Sequence, residues 1–222
     1  KDTNTNQNNK FRLLEVGSYL GESLELFGDV LQKEIPNNFI IISVDPYIPY
    51  ATDKENEKNS TTSICSKKIE DVYLYFKHNI SLKSWRSNFI HIRKNLDEAK
   101  IILKNFNITC DFIYIDGSHY YEDVKNDFFN SLELVKKGHD YNGIISGDDY
   151  ELKFEDCVNY NQDQNKFKDF LLKNLDEDYI TIGDHPNIKG FHPGTTLFFH
   201  EIHEKIVNTK SGFWYHQINS MK

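Results

Sequence analysis

Cysteine is scarce in this sequence. Cys65, Cys110 and Cys157 are the three in 222 residues, and an odd, widely spaced set offers neither a disulfide framework nor the paired spacing of a zinc motif. They are expected to be reduced. No apolar run approaches the roughly 20 residues that a membrane-spanning helix needs, so no membrane contact is expected. A dense Lys/Arg run is also missing, and 34 acidic residues outnumber 26 basic ones for a formal net charge of -8. That balance works against phosphate-backbone binding, and nucleic acid is not expected as a partner. The opening KDTNTNQNNK lacks the apolar segment of a signal peptide, which points to a cytoplasmic protein with a disordered polar tail over residues 1–10. It begins on Lys1 rather than Met, which leaves room for an upstream piece. With no internal repeat and no linker-like stretch, residues 11–222 are expected to form one domain large enough for a real core.

What the sequence does contain is alternation. FRLLEV stops at Gly17; Leu24, Phe27, Leu31 and Ile35 then recur at helical spacing before FIIISV, which ends at Asp45-Pro46. Ile69, Val72, Tyr73, Phe76 and Ile80 form a second helical stripe before NFIHIR, and Ala99, Ile102, Leu103 and Phe106 a third before DFIYID. Val124, Phe128, Leu132 and Val135 precede GIISGDD. Short apolar runs alternating with helical stripes predict a parallel sheet with helices on both faces. Residues 48–63 are polar and patternless and predict a mobile loop. DYITIGD and TTLFFHEI, joined by the link 184–194, predict an antiparallel hairpin at the sheet edge, for seven strands in all.

In open parallel sheets, ligands bind beyond the carboxyl ends of the strands. Each strand end here carries acids or glycines: Glu15 with GSYLGES, Asp45, Asn95 and Asp97, Asp116 and His119, Asp148 and Asp149. Taken singly, any of them fits a helix cap or a turn. Five together indicate a site. FIYIDGSHYYED is the sharpest case, since Asp116, His119, Glu122 and Asp123 crowd the end of a buried strand, and such a cluster asks for a cation or solvent. Glu122 and Asp123 suit the first turn of the following helix, where negative charge is favourable. The first turn reads Gly17-x-x-x-Gly21 rather than G-x-G-x-x-G. Glu15 before it would repel a pyrophosphate and attract an ammonium group. Asp45 can accept both hydroxyls of a ribose. The combination favours an adenosine ligand with a cationic amino-acid end and no phosphates.

LLEVGSYLGESL, ISVDPY and the pair IDGSHYYEDVKNDF with GIISGDDY resemble the class I S-adenosylmethionine-dependent methyltransferases, specifically the metal-dependent O-methyltransferases of the catechol and macrocin O-methyltransferase types. The correspondence runs from residue 11 to about 150. It implies a Rossmann-like methyltransferase fold with S-adenosylmethionine held by Glu15, Gly17, Ser18, Tyr19, Gly21, Ser23, Asp45 and Asp116. It further implies Mg2+ or Mn2+ on Asp116, Asp148 and Asp149, and His119 as the general base, where macrocin-type enzymes have a histidine. Leu96 stands where the family often has a small polar residue near the adenine, which moves that expected contact to Asn95, Asp97 or the backbone. The implied reaction is methylation of a hydroxyl on a small molecule, with a sugar or sugar nucleotide as the suspected acceptor and homo-oligomerisation left open. A nicotinamide-dependent oxidoreductase and a non-catalytic S-adenosylmethionine-binding module are the alternatives. His91, His139, His185, His192, His200 and His203 carry no motif and read as structural or solvent-facing.

Overall fold

The structure is a computed structural model that describes residues 10–58, 61–138, 141–153, 164–181, 189–202, 206–208 and 212–218. Most of the expected polar tail, together with Cys157, His139, His185 and His203, lies outside these residues. The strands are β1 (Phe11–Val16), β2 (Phe39–Val44), β3 (Phe89–Ile92), β4 (Phe112–Ile115), β5 (Ile144–Gly147), β6 (Ile180–Thr181), β7 (Gly190–Phe191), β8 (Val207–Asn208) and β9 (Trp214–Gln217). The helices are α1 (Glu22–Glu34), α2 (Asp53–Lys58), α3 (Thr61–Lys67), α4 (Ile69–Ser81), α5 (Leu96–Asn105), α6 (Tyr121–Leu134), α7 (Gln164–Lys173) and α8 (Pro193–Glu201). The main sheet has the order β3-β2-β1-β4-β5-β9-β8. β1 to β5 pair in parallel, and β9 joins β5 antiparallel. β8 contributes only two residues beyond it.

The parallel strands are apolar on both faces because helices cover both. Leu14, Val16, Ile42 and Val44 point into one cluster with Ala99, Leu103, Phe128, Phe198 and Trp214. Leu13, Phe39 and Ile41 point the other way, toward Leu24, Val72, Phe76 and Trp85. The two-residue alternation of a strand thus feeds two cores from one run of sequence. Among the described residues no helix is long and apolar enough to cross a membrane.

The antiparallel edge exists, but different residues build it. TTLFFHE lies in α8, not in a strand, and Pro193 to Phe199 are all buried, which a half-exposed edge strand cannot achieve. Pro193 opens the helix at a position where a missing N–H is harmless, and burial on every side overrides the β-branched and aromatic composition that suggested a strand. Of DYITIGD, Ile180 and Thr181 are extended and pair with Gly190 and Phe191 in a separate small sheet, while residues 182–184 lie outside the described ones. The expected loop 48–63 contains α2 and the start of α3. DKENEK has no apolar stripe to announce a helix, and the segment is held by distant partners at Lys58 and at the flanking Thr52 and Thr62 instead. Lys58 pairs with Glu177, Thr52 Oγ1 donates to the Asp176 carbonyl at 3.0 Å, and Thr62 Oγ1 donates to Asp178 Oδ2 at 2.8 Å.

Candidate active site

Strand order reverses at β1, which has β2 on one side and β4 on the other, so the crevice opens where β1 and β4 end. Gly17 and Asp116 meet there. Gly17 has φ +81°, and a Cβ on it would lie 2.1 Å from the Asp116 carbonyl oxygen, so only glycine permits both the turn and the approach. Glu15, two residues earlier, is fully buried. Ser23 Oγ donates to its Oε1 at 2.5 Å, while Oε2 has no hydrogen-bond partner. Burial pushes the Glu15 carboxyl up to about 8, with Asp45 and Asp148 adding repulsion against the opposing effect of Ser23 and Ser18.

Asp45 ties the first turn to the end of β2. Its Oδ2 accepts the Ser18 and Tyr19 amides at 2.9 and 3.3 Å, and its Oδ1 accepts the Tyr47 amide at 2.8 Å. Lone pairs remain, since a carboxylate offers about four acceptor directions. A cleft of about 580 Å³ begins directly beyond it, lined by Pro46, Tyr47, Lys67, Glu70 and Arg93 among others. Tyr47 is buried, its ring lies beside Tyr73, Phe76 and His91, and its hydroxyl donates to the Tyr19 carbonyl at 2.8 Å. Gly21, at φ +86°, precedes α1. Asn95 and Asp97 are engaged elsewhere: Asn95 Oδ1 caps α5 by accepting the Glu98 amide at 3.0 Å, and Asp97 Oδ1 accepts Asn130 Nδ2 of α6 at 2.9 Å.

Asp116, Asp148 and Asp149 offer carboxylate oxygens that all lie within 4.8 Å of one another. Two consecutive residues in an extended chain would point to opposite faces. Asp149 escapes this by adopting φ +62°, a left-handed conformation that aspartate tolerates better than most residues. Trp214 Nε1 braces the turn by donating to the Asp148 carbonyl at 3.0 Å. Burial and then repulsion from Asp148 and Asp149 push Asp116 up to about 8, and burial with Asp149 pushes Asp148 up to about 6. Asp148 Oδ1 is buried without a hydrogen-bond partner. Three crowded carboxylates, one with an orphaned oxygen, are a hard-oxygen donor set fit for Mg2+ or Mn2+.

His119 sits beside this cluster between two carboxylates. Its Nδ1 is 3.0 Å from Asp178 Oδ1, and its Nε2 is 3.0 Å from Asp149 Oδ2. Burial alone would lower its pKa, but the two carboxylates override that and push it up to about 10. In this arrangement His119 favours its protonated form. Asp178 was invisible as a site residue because nothing distinguishes it from Asp176 and Glu177 in LDEDY. His192, expected to be structural or solvent-facing, has its ring centroid 4.1 Å from that of His119. Asp123 accepts Ser118 Oγ at 2.6 Å in the first turn of α6, as expected for a helix-start acid. A cavity of about 10 Å³ lies among Asp116, His119, Asp148, Asp149, Thr195 and Trp214, about enough for one small guest such as a water.

A family model described as a methyltransferase domain matches residues 14–150. An uncharacterized protein of Acanthamoeba polyphaga mimivirus is 33% identical over 150 residues, which are 67% of this chain and 55% of that protein. The chain thus spans about half the length of that relative. Among solved structures, the O-methyltransferase NovP matches with a TM-score of 0.54 at 14% identity, covering 95% of this chain and 73% of its own. The calicheamicin methyltransferase CalS11 matches with a TM-score of 0.51 at 13% identity, covering 96% and 74%. At these identities the likeness is one of fold.

Proposed function

Because the chain belongs to the methyltransferase family whose domain spans residues 14–150, we propose that it transfers a methyl group from S-adenosylmethionine to a hydroxyl of a small molecule. A sugar or sugar nucleotide is the favoured acceptor, with Mg2+ or Mn2+ held by Asp116, Asp148 and Asp149. The observation that carries this reading is the convergence of those three carboxylates within 4.8 Å, with His119 against Asp149. The name of the O-methyltransferase NovP lends support to an oxygen acceptor.

S-adenosylmethionine would supply an electrophilic methyl on a sulfonium. Glu15, buried with an orphaned oxygen, meets its α-ammonium; a cation there favours the ionised carboxylate and reverses the rise that burial imposes. Ser18, Tyr19, Gly21 and Ser23 shape the turn around it, and Asp45 has acceptor capacity left for the ribose diol. The divalent cation would supply Lewis acidity that lowers the pKa of the acceptor hydroxyl. His119 takes the acceptor proton once its own has left, and the protein's share of catalysis is otherwise alignment of donor and acceptor.

Transfer of labelled methyl to a panel of sugars and sugar nucleotides tests the reaction. Turnover is expected with Mg2+ and is expected to vanish in excess chelator, while calorimetric binding of S-adenosylmethionine persists. Full turnover with chelator present removes the metal from the proposal. Asp45→Ala should weaken S-adenosylmethionine binding by about 1.5–3 kcal/mol, the worth of hydrogen bonds to a charged group. Unchanged affinity on titration would take Asp45 out of the ribose site.

A further inference from the structure

His192 has no part in the proposed methyl transfer, yet it is packed against His119. The start of α8 brings them together. A Cβ on Gly194 would lie 2.4 Å from the His119 carbonyl oxygen and 2.4 Å from the Tyr121 amide nitrogen, so glycine is what lets the helix begin this close to the loop after β4. His119, Asp149 and His192 then each present a ligand atom, all within 4.8 Å of one another. His119 Nδ1 is 3.0 Å from Asp178 Oδ1, and a carboxylate on that nitrogen fixes the tautomer and leaves Nε2 as the ligand, which is how metal-binding histidines are held. His192 turns Nδ1 toward the triad, 3.9 Å from Asp149 Oδ1, and the same nitrogen lies 3.0 Å from Glu151 Oε1, so Glu151 stands at the rim of the site as a further carboxylate. His119 Nε2 is buried and makes no hydrogen bond, although it lies 3.0 Å from Asp149 Oδ2.

We propose that His119, Asp149 and His192 form a second metal site, one that takes Zn2+ in preference to Mg2+. The donor set decides the ion. Two imidazoles and a carboxylate suit Zn2+, with three protein ligands and one open position, whereas Mg2+ demands oxygen ligands in an octahedron. Asp149 belongs to this triad and to the oxygen cluster as well. Zinc on the triad engages His119 Nε2 and Asp149 together, so it inhibits the methyl transfer that Mg2+ supports. That consequence rests on the proposed function; zinc binding itself does not.

Titration of the full chain with ZnCl2 alone, followed by X-ray absorption at the zinc edge, tests the site without any turnover. One ion should bind through two imidazole nitrogens at about 2.0–2.1 Å. His192→Ala should weaken binding at least about 10-fold and leave one imidazole in the shell. A failed methyl-transfer assay leaves this result readable. Absence of zinc uptake, a wild-type shell with fewer than two imidazoles, or equal affinity in His192→Ala overturns the proposal. Should His192→Ala fail to fold, the wild-type absorption spectrum decides alone.

Discussion

Replacing His119 with alanine is expected to lower turnover by about 10²–10⁴, the usual worth of a positioned general base, while S-adenosylmethionine still binds. The environment of this residue makes its pH behaviour the more telling measurement. Asp149 and Asp178 stand on its two ring nitrogens at 3.0 Å and hold it protonated, with a pKa pushed up to about 10. A base must be neutral, so activity should rise with pH from neutrality into the alkaline range. A divalent cation on Asp149 competes with the imidazolium for that carboxylate and should draw the midpoint of the rise downward. Asp178→Asn removes the other carboxylate and should lower the midpoint as well. His119→Gln keeps a hydrogen-bonding group but cannot take a proton, and should be as inactive as the alanine variant. Near-normal turnover of His119→Ala at pH 7 with saturating acceptor would return the residue to a structural role. A pH profile that Asp178→Asn leaves unmoved would detach Asp178 from the chemistry.

The parts of the fold legible in the sequence are those where periodicity follows burial. FRLLEV, FIIISV, NFIHIR, DFIYID and GIIS each contain the strand expected of them, and the stripes at Ile69–Ile80 and Ala99–Leu103 lie in α4 and α5, because a local pattern suffices when both sheet faces are covered. The errors cluster after residue 150 and in 48–63. There the determining forces are long-range: α8 is buried on all sides, and α2 with α3 is fastened to residues 176–178. α7 is not among the expected helices, although Phe167, Phe170 and Leu171 stand at helical spacing. The site divides along the same line. Glu15, Asp45, Asp116, His119, Asp148 and Asp149 stand at strand ends and could be read from strand order alone. Asp178 and His192 reach His119 from chain segments about 60 to 70 positions away, and no local pattern encodes that meeting. For Asn95 and Asp97 a strand-end position says nothing of the partners that the structure adds, the cap on α5 and the contact with Asn130 of α6.

Asp116→Asn is expected to stabilise the metal-free protein at pH 8 and to disable the metal-loaded one. Glu15 and Asp116 are pushed up to about 8, Asp127 to about 7 and Asp148 to about 6. Between the ordinary carboxylate range and pH 8 the folded chain therefore holds more protons than the unfolded chain, and stability falls as pH rises across that window. His119, raised from 6.5 to about 10, adds a loss in the same direction above neutrality. The lowered pKa values of Asp149 and Asp178 act the other way, protecting the fold until strongly acidic pH. An asparagine at 116 cannot ionise, so it should raise the metal-free melting midpoint at pH 8 by a few degrees and change little at pH 5, where Asp116 is already protonated. Mg2+ at 100 times its dissociation constant should stabilise the wild type by about 2.7 kcal/mol through mass action. In the variant that gain should largely disappear, and turnover should fall by about 10²–10⁴ with the loss of several kcal/mol of Lewis-acid stabilisation. Melting curves at pH 5 and pH 8, with and without Mg2+, separate the two readings of this cluster. A purely structural group of acids would give a variant that melts lower in every condition and a wild type indifferent to Mg2+. A cation site gives opposite signs with and without the metal, because the repulsion that weakens the metal-free fold is the same charge that binds the ion.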